Sequence, residues 1–172
     1  MNTTVMPIVG EFEKVSYREF SDAMYLKNEN DIKDIYDNLI KPKRATEMSA
    51  GYDFFAPYDI ILKPGCSVTV PTGFRVRIKD PWFLAMYPRS GLGFKYKVRL
   101  ANTVGVIDGD YYYSDNEGHI MLKLCNESTD NKLCTIRSGD GMCQGIFQMY
   151  GITSDDNASG KRNGGFGSTD RQ

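Results

Sequence analysis

The chain has 172 residues, 41% of them hydrophobic, which suits a single domain built around one core. Its 21 basic and 22 acidic side chains give a formal net charge of −1, which excludes the basic field that would draw a whole chain onto nucleic acid or a membrane surface. Seventeen glycines and eleven tyrosines favour a β-rich architecture with many turns.

The cysteines argue against a disulfide framework or a zinc centre. Cys66, Cys125, Cys134 and Cys143 form no CxxC pair, and His119 is the only histidine. We expect them to be reduced, buried residues of a cytoplasmic protein. No apolar run approaches the roughly 20 residues of a membrane span. The first 15 residues also lack the basic start and apolar core of a signal peptide.

The first third of the chain predicts one strand and one helix. Residues 12–20 alternate loosely and predict an early strand. A helical insertion at about 28–40 follows from apolar residues at spacings of three, four, seven and eight: Ile32, Ile35, Tyr36, Leu39 and Ile40. Asn28 or Asn30 caps its start, and Lys41-Pro42 ends it. Such a stripe usually packs on its own domain, although a surface for docking a partner is the alternative.

From Lys43 onward, short strand-like stretches alternate with turns such as KPG, PTG and PRSG. With one helix and no βαβ alternation, the predicted fold is all-β, an antiparallel β-sandwich of jelly-roll type. We place this domain at 1–152. Residues 153–172 are rich in Gly, Ser, Asn and Asp, and their composition predicts a flexible C-terminal arm.

The stretch TVGVIDGDY, residues 103–111, is a candidate catalytic element. Its apolar residues run into a turn where Asp108 and Asp110 flank a glycine, and a carboxylate aimed from such a turn suits a general base. Taken alone, the residues fit an ordinary strand and turn better. The composition of the neighbouring loops favours the catalytic interpretation.

Three loops have compositions that suit phosphate. In PRSGLG, Arg89 offers a fork of donors, Ser90 a hydroxyl and Gly91 an approachable backbone. GDGMCQ sends Gln144 into a strand, and the tail KRNGGFGST combines cations, glycines and hydroxyls with one aromatic residue. Asn102 has the donor and acceptor needed to read a base edge. Together they favour a nucleotide-binding hydrolase and leave the base and the cleaved bond open.

The order of five stretches resembles the trimeric deoxyuridine triphosphate nucleotidohydrolases (dUTPases). They are AGYDFFA, PRSGLG, VGVIDGDY, GDGMCQ and GGFGST, and the resemblance spans Ala45–Thr169. It implies a jelly-roll homotrimer whose active sites draw on all three chains, with the C-terminal arm closing over a neighbour's site. The implied reaction converts dUTP to dUMP and pyrophosphate, which limits uracil incorporation into DNA and supplies dUMP for thymidylate synthesis.

The resemblance also implies roles for individual residues. Asp108 is the implied base that activates water, and Tyr111 packs under the deoxyribose. Mg²⁺ is the implied cofactor, with Asp53 near its water shell and no direct protein ligand. The implied substrate-binding residues contact base, sugar or phosphates: Arg89, Ser90, Gly91, Asn102, Val106, Ile107, Tyr111, Met121, Gln144, Lys161, Arg162, Phe166, Gly167, Ser168 and Thr169.

Departures from the family pattern leave alternatives. The position usually held by arginine before GGFG is Lys161, with Arg162 beside it, so either could contact the γ-phosphate. Residues 112–118 are an insert, which we expect to form an extended hairpin tip. One rival is a deoxycytidine triphosphate deaminase, although Lys123 stands where its glutamate is expected. Another is a regulatory protein that binds a protein partner through the helix or the insert.

Overall fold

The computed structural model describes residues 6–24 and 28–160. Within them lie twelve strands: β1 (Gly10–Lys14), β2 (Lys43–Arg44), β3 (Tyr52–Phe55), β4 (Ile60–Leu62), β5 (Ser67–Pro71), β6 (Phe74–Ile78), β7 (Trp82–Pro88), β8 (Val98–Leu100), β9 (Gly105–Ile107), β10 (Met121–Asn126), β11 (Cys134–Ile136) and β12 (Gly141–Met149). The described helices are α1 (Tyr17–Asp22), α2 (Glu29–Asp37), α3 (Ser90–Tyr96) and a 3-10 helix at Gly109–Tyr113.

The strands form antiparallel sheets. The largest has the order β2-β3-β12-β7-β9, and a three-stranded sheet has the order β5-β10-β8. The pairs β1-β6 and β11-β4 complete the architecture. Phe54, Leu84 and Met86 of the five-stranded sheet share one buried cluster with Leu100 and Leu124 of the three-stranded sheet. The two sheets therefore pack face to face, and the predicted jelly-roll-like β-sandwich is confirmed.

The predicted helix is present as α2, but it ends at Asp37 with Asn38 as its C-cap, before the predicted end at Lys41-Pro42. The Asn28 side chain accepts a hydrogen bond from the Asp31 amide at 2.9 Å, as expected of an N-cap. Ile32 is buried in a second, smaller cluster with Val15, Phe20 and Met24. The apolar stripe thus packs on its own domain, except that Ile40 is 42% exposed.

The early strand was predicted too long. Pairing of β1 with β6 ends at Lys14, and a helix, α1, occupies Tyr17–Asp22. Ser16 caps this helix by accepting a hydrogen bond from the Glu19 amide at 3.1 Å. Such a cap stabilises the first turn of a helix, which is why the chain leaves the strand at this point.

The prediction that residues 112–118 form an extended hairpin tip is wrong. Tyr112 and Ser114 are buried, and the 3-10 helix extends into this insert. Gly118 has φ +72, and a Cβ added there would lie 2.7 Å from the Tyr111 carbonyl oxygen. The insert therefore folds back onto the residue from which it departs.

The described part of the predicted arm, residues 153–160, is exposed and contains neither helix nor strand. No helix in the described chain is both long enough and apolar enough to span a membrane. All four cysteines are free. Cys134 and Cys143 are buried as expected, whereas Cys66 is exposed, which corrects the expectation that all four are buried.

Candidate active site

Strand pairing brings three predicted motifs to one end of the five-stranded sheet. Asp53 of β3 lies opposite Gln144 of β12. On the other side of β12, Cys143 pairs with Pro88 of β7, the residue before Arg89. A cavity of about 310 Å³ opens here, lined by Asp53, Arg89, Ser90 and Gln144 together with residues 49–51. The structure therefore gathers a carboxylate, a guanidinium, a hydroxyl and an amide around one cavity.

Arg89 is held in place at the rim of this cavity. Its Nε lies 3.5 Å from Asp53 Oδ1, and the two side chains are 43% and 15% exposed. The guanidinium passes over Gly141, where an added Cβ would lie 2.1 Å from Arg89 Nη1. Because residue 141 is a glycine, there is space at this position for the Arg89 guanidinium. A half-exposed guanidinium beside an open cavity is suited to bind phosphate oxygens.

Ser90 and Gly91 extend the polar rim. Both are exposed in the first turn of α3, and a Cβ at Gly91 would meet nothing within 4 Å. A second cavity of about 320 Å³ lies on this side, lined by the same two residues with Arg89 and Asp140. Backbone that no side chain covers can approach an anion closely, as the composition of PRSGLG predicted.

The sequence pattern missed the glycines that shape this end of the sheet. At Gly51 an added Cβ would lie 2.7 Å from Gln144 Oε1, so the Gln144 side chain packs over that glycine. In the same way, the Arg89 side chain packs over Gly141. Both glycines lie inside motifs that the sequence pattern had identified, AGYDFFA and GDGMCQ, but their role depends on contacts between strands.

Asp108 lies elsewhere on the same sheet. It follows β9 as the N-terminal flanking residue of the 3-10 helix, with φ −77 and ψ 158, and is exposed. Its carbonyl oxygen accepts a hydrogen bond from the Tyr111 amide at 3.2 Å. The predicted base and the predicted sugar-binding residue therefore belong to one turn.

Other acidic groups surround this turn. The Tyr150 hydroxyl donates to Asp80 Oδ1 at 3.3 Å. The negative charge of Asp80, and then those of Asp108 and Asp110, raises the pKa of Tyr150. The strand–turn pattern at 103–111 contained no signal for Asp80 or Tyr150, since both are brought there by the ends of β7 and β12.

The register of β7 separates Asp108 from the cavity. Ile107 pairs with Leu84, and β9 then runs away from Pro88. Arg89 lies five residues beyond Leu84, about 17 Å along the strand, and Asp108 is one residue further away. One chain therefore unites the phosphate-binding residues but places the predicted base about 20 Å from them.

Of the residues predicted to read the base, Val106 and Ile107 lie on β9, and Asn102 lies in the turn before it. Asn102 is exposed. The Ala101 amide, next to Asn102, donates a hydrogen bond to the Lys123 carbonyl of β10 at 2.9 Å. This bond joins the Asn102 turn to the strand that begins with half-buried Met121. Val106 is 53% exposed, whereas Ile107 is 7% exposed. Nearby Gly105 is buried against Met86.

Tyr111 is more enclosed than its predicted contact with a sugar suggests. It is 3% exposed and belongs to the main core. Its hydroxyl donates to the His119 carbonyl and accepts from Asn116 Nδ2, each at 2.8 Å. In the single chain, only a small part of the ring is open to a ligand.

The remaining predicted site residues lie outside the described part of the chain: Lys161, Arg162, Phe166, Gly167, Ser168 and Thr169.

The donor set fits a loosely held magnesium ion. Among the described residues no group of three or more His, Cys, Asp and Glu side chains is arranged to hold a metal. Mg²⁺ usually retains several waters and binds through one or two carboxylates plus the phosphates of a substrate. Asp53, beside Arg89 at the cavity, offers one carboxylate of that kind.

Comparisons with known proteins identify similar sequences. A family model described as dUTPase matches residues 37–170. The deoxyuridine 5'-triphosphate nucleotidohydrolase of Lactococcus lactis is 41% identical over 131 residues, covering 74% of this chain and 86% of that protein. The protein of the same name from Escherichia coli O45:K1 is 40% identical over 139 residues, covering 76% and 87%.

Solved structures of dUTPases superpose on this chain. The crystal structure of dUTPase from Streptococcus mutans superposes with a TM-score of 0.63 at 31% identity, covering 83% of this chain and 98% of that one. A dUTPase from phage phi11 of S. aureus superposes with a TM-score of 0.61 at 16% identity, covering 89% and 97%, which is a likeness of fold.

Proposed function

The chain belongs to the dUTPase family, and from that premise we propose that it hydrolyses dUTP to dUMP and pyrophosphate. The observation that carries the proposal is the convergence of Asp53, Arg89, Ser90 and Gln144 on one cavity. Charge-assisted hydrogen bonds from a guanidinium, with a hydroxyl and an amide beside it, suit the oxygens of a polyphosphate. In this proposal Arg89, Ser90, Gly91 and Gln144 hold the phosphates.

The proposal places the base in a different chain from this cavity. Asp108 is about 20 Å from Arg89 along the sheet, too far for both to act on one nucleotide within a single chain. An assembly of several chains removes this conflict, because Asp108 of one subunit can face the cavity of another. A homotrimer with shared sites, as the resemblance implies, is the arrangement we propose.

In the proposed mechanism Asp108 accepts a proton from water, which attacks the α-phosphorus. Its exposure at the end of β9 allows it to reach a solvent molecule. The proton passes to the Asp108 carboxylate, the bond from the α-phosphorus to the bridging oxygen breaks, and pyrophosphate leaves. Mg²⁺, when bound to the phosphates, neutralises their charge as they separate. Asp53 would be the carboxylate nearest the ion and would orient its water shell.

Base and sugar selection are assigned to β9 and the turns on either side of it. Asn102 reads the uracil edge, and Met121 with the backbone of Val106 and Ile107 lines the same pocket. Tyr111 packs under the deoxyribose and excludes a 2'-hydroxyl. The proximity of the Asn102 turn to β10, through the Ala101–Lys123 hydrogen bond, supports this grouping.

The arm completes the site in this proposal. Phe166 stacks on uracil, and Gly167, Ser168 and Thr169 close over the phosphates together with Lys161 or Arg162. A sequence so poor in apolar residues gains little from burial, so a bound ligand supplies the interactions that order it. The expected physiological role is to limit uracil incorporation into DNA and to supply dUMP.

A pyrophosphate-release assay with dUTP, dTTP, UTP and dCTP, each with and without Mg²⁺, tests the proposal. We expect turnover of dUTP that depends on Mg²⁺ and little turnover of the others. Ammonia release from dCTP would instead favour the deaminase alternative, against which Lys123 argues because a protonated lysine is not a base. Absence of turnover with every nucleotide would favour a purely regulatory protein.

A further inference from the structure

The insert at residues 112–118 and the N-terminal helices form one connected unit. Glu117 of the insert accepts hydrogen bonds from the Ser16 amide at 2.7 Å and the Ser16 hydroxyl at 2.6 Å. The Ser16 hydroxyl is the largest cause that lowers the pKa of Glu117. The insert is thus anchored to the start of α1, and α1 precedes the residues that match the family model.

His119 makes a second connection. Its Nε2 accepts from the Gly73 amide at 2.9 Å, so its proton lies on Nδ1, which is 3.2 Å from Glu19 Oε1 of α1. Burial lowers the pKa of His119 to about 4. The imidazole is therefore neutral at physiological pH and rigidly positioned between α1 and the turn before β6.

This anchored unit reaches Tyr111 through one side chain. Asn116 Nδ2 donates to the Tyr111 hydroxyl at 2.8 Å, and the same hydroxyl donates to the His119 carbonyl at 2.8 Å. The His119 amide donates a hydrogen bond to the Asn116 carbonyl at 2.9 Å, so residues 116–119 form a hydrogen-bonded turn. The Tyr111 ring is therefore held at its far end by Asn116 of the insert and by His119 directly after it.

From this geometry we infer that Asn116 is a positioning residue for Tyr111 and thereby sets how strictly the enzyme rejects ribonucleotides. The inference rests on the proposed function, in which Tyr111 packs under the sugar. A ring fixed at its hydroxyl cannot tilt away to admit a 2'-hydroxyl. Without Asn116 the phenol loses this donor but keeps its hydrogen bond to the His119 carbonyl, and the far end of the ring gains freedom to move.

The test measures the ratio of kcat/KM for dUTP to kcat/KM for UTP in four proteins: wild type, Asn116→Ala, Tyr111→Phe and the double variant. Loss of one hydrogen bond predicts a ratio about two- to tenfold lower for Asn116→Ala. Because Asn116 acts through the phenol, Asn116→Ala should not lower the ratio further once Tyr111 is phenylalanine. Equal additional losses in both backgrounds would overturn the inference.

Two further variants separate positioning from folding. Asn116→Leu keeps a similar side-chain volume but removes every polar atom, so it should lower the ratio as alanine does. Asp115→Ala changes the exposed neighbour in the same insert and should leave the ratio unchanged. If Asn116→Leu keeps the wild-type ratio while Asn116→Ala loses it, or if neither variant changes it, the inference is wrong. A wild-type protein that does not hydrolyse dUTP overturns the proposed function as well.

Discussion

Asp108 and Arg89 lie towards opposite ends of the same five-stranded sheet, about 20 Å apart along β7. Ile107, directly before Asp108, pairs with Leu84, whereas Arg89 directly follows Pro88, which pairs with Cys143. A β-sheet does not bend enough to bring two such positions onto one small ligand. The chemistry proposed here consequently depends on contacts between chains.

Mixing two inactive variants should restore activity. Asp108→Asn removes the base, and Arg89→Ala removes a phosphate contact at the other end of the sheet. In trimers formed at random from equal amounts of both, about one quarter of the sites combine an intact Arg89 with an intact Asp108 from another chain. Pyrophosphate release by co-expressed, differently tagged subunits should recover to about that fraction of the wild-type rate.

The matched control is Asp110→Asn, which changes the other carboxylate of the same turn. Asp110 is expected to serve the turn rather than the reaction, so this variant should keep its activity unmixed. If verified mixed trimers of the two inactive variants recover nothing, both residues serve the same chain and the shared-site proposal fails.

Replacing Gly141 by alanine should weaken phosphate binding with little loss of stability. An added Cβ would lie 2.1 Å from Arg89 Nη1, so the guanidinium must leave its position beside Asp53. Because the displaced group is the end of a flexible side chain, the fold tolerates the change. Loss of one charge-assisted contact predicts a KM for dUTP higher by about tenfold. Gly151→Ala, where a Cβ meets nothing within 4 Å, should leave KM unchanged.

Replacing Gly118 by alanine should destabilise the protein by about 3 kcal/mol. Its φ of +72 carries about 1–2 kcal/mol of strain for any L side chain. The added Cβ would also lie 2.7 Å from the Tyr111 oxygen and from Tyr112 Cα, an overpacking cost of about 1–3 kcal/mol. Thermal or denaturant unfolding measures the loss.

Gly65→Ala separates the two contributions to the Gly118 prediction. Gly65 has the same φ of +72, but an added Cβ meets nothing within 4 Å. Its replacement should therefore cost only the backbone strain of about 1–2 kcal/mol. Equal losses at both positions would show that the insert does not fold tightly against Tyr111.

Stability should fall as the pH drops from 6.5 towards 4. Burial lowers the pKa of His119 from 6.5 to about 4. Between these two values His119 binds a proton in the unfolded chain but not in the folded chain. The stabilisation is complete above pH 6.5 and is lost progressively below it, up to about 3 kcal/mol. Burial raises the pKa of Glu19, whose protonation in the folded state partly offsets this loss.

Unfolding free energies measured between pH 7 and pH 4.5 test this dependence. The lower limit keeps small the contribution of Glu117, whose lowered pKa makes it destabilise the fold in the same direction as His119 as the pH falls further. His119→Gln should flatten the slope over this interval, whatever its stability at pH 7. A slope equal to that of the wild type would assign the pH dependence to other groups.

Local signals in the sequence predicted much of the fold. The helix α2 has a capping asparagine and an apolar stripe, both of which act within one or two turns. The helix α1 was missed because its six residues carry only one buried side chain, Phe20, which fits an alternating pattern equally well. The spacing of Ser16 and Glu19 (S-x-x-E) was the available signal for its start.

The role of the insert at residues 112–118 was not predictable from its composition. Polar residues such as Asn116 and Glu117 suit an exposed turn, and only their partners Tyr111 and Ser16 reveal a packed element. Those partners are separated by very different distances along the chain, 5 and 101 residues. No pattern over a short window contains the second of these contacts.

The sequence by itself determined which residues are candidates for the chemistry, because guanidinium, carboxylate, hydroxyl and glycine have properties that do not depend on the fold. It also determined the β-rich architecture, through alternation and turn residues. Only the tertiary structure decided which of those residues share a cavity. Strand register places Asp53 opposite Gln144 and separates Asp108 from Arg89, and register is set by side chains packing across the whole sheet.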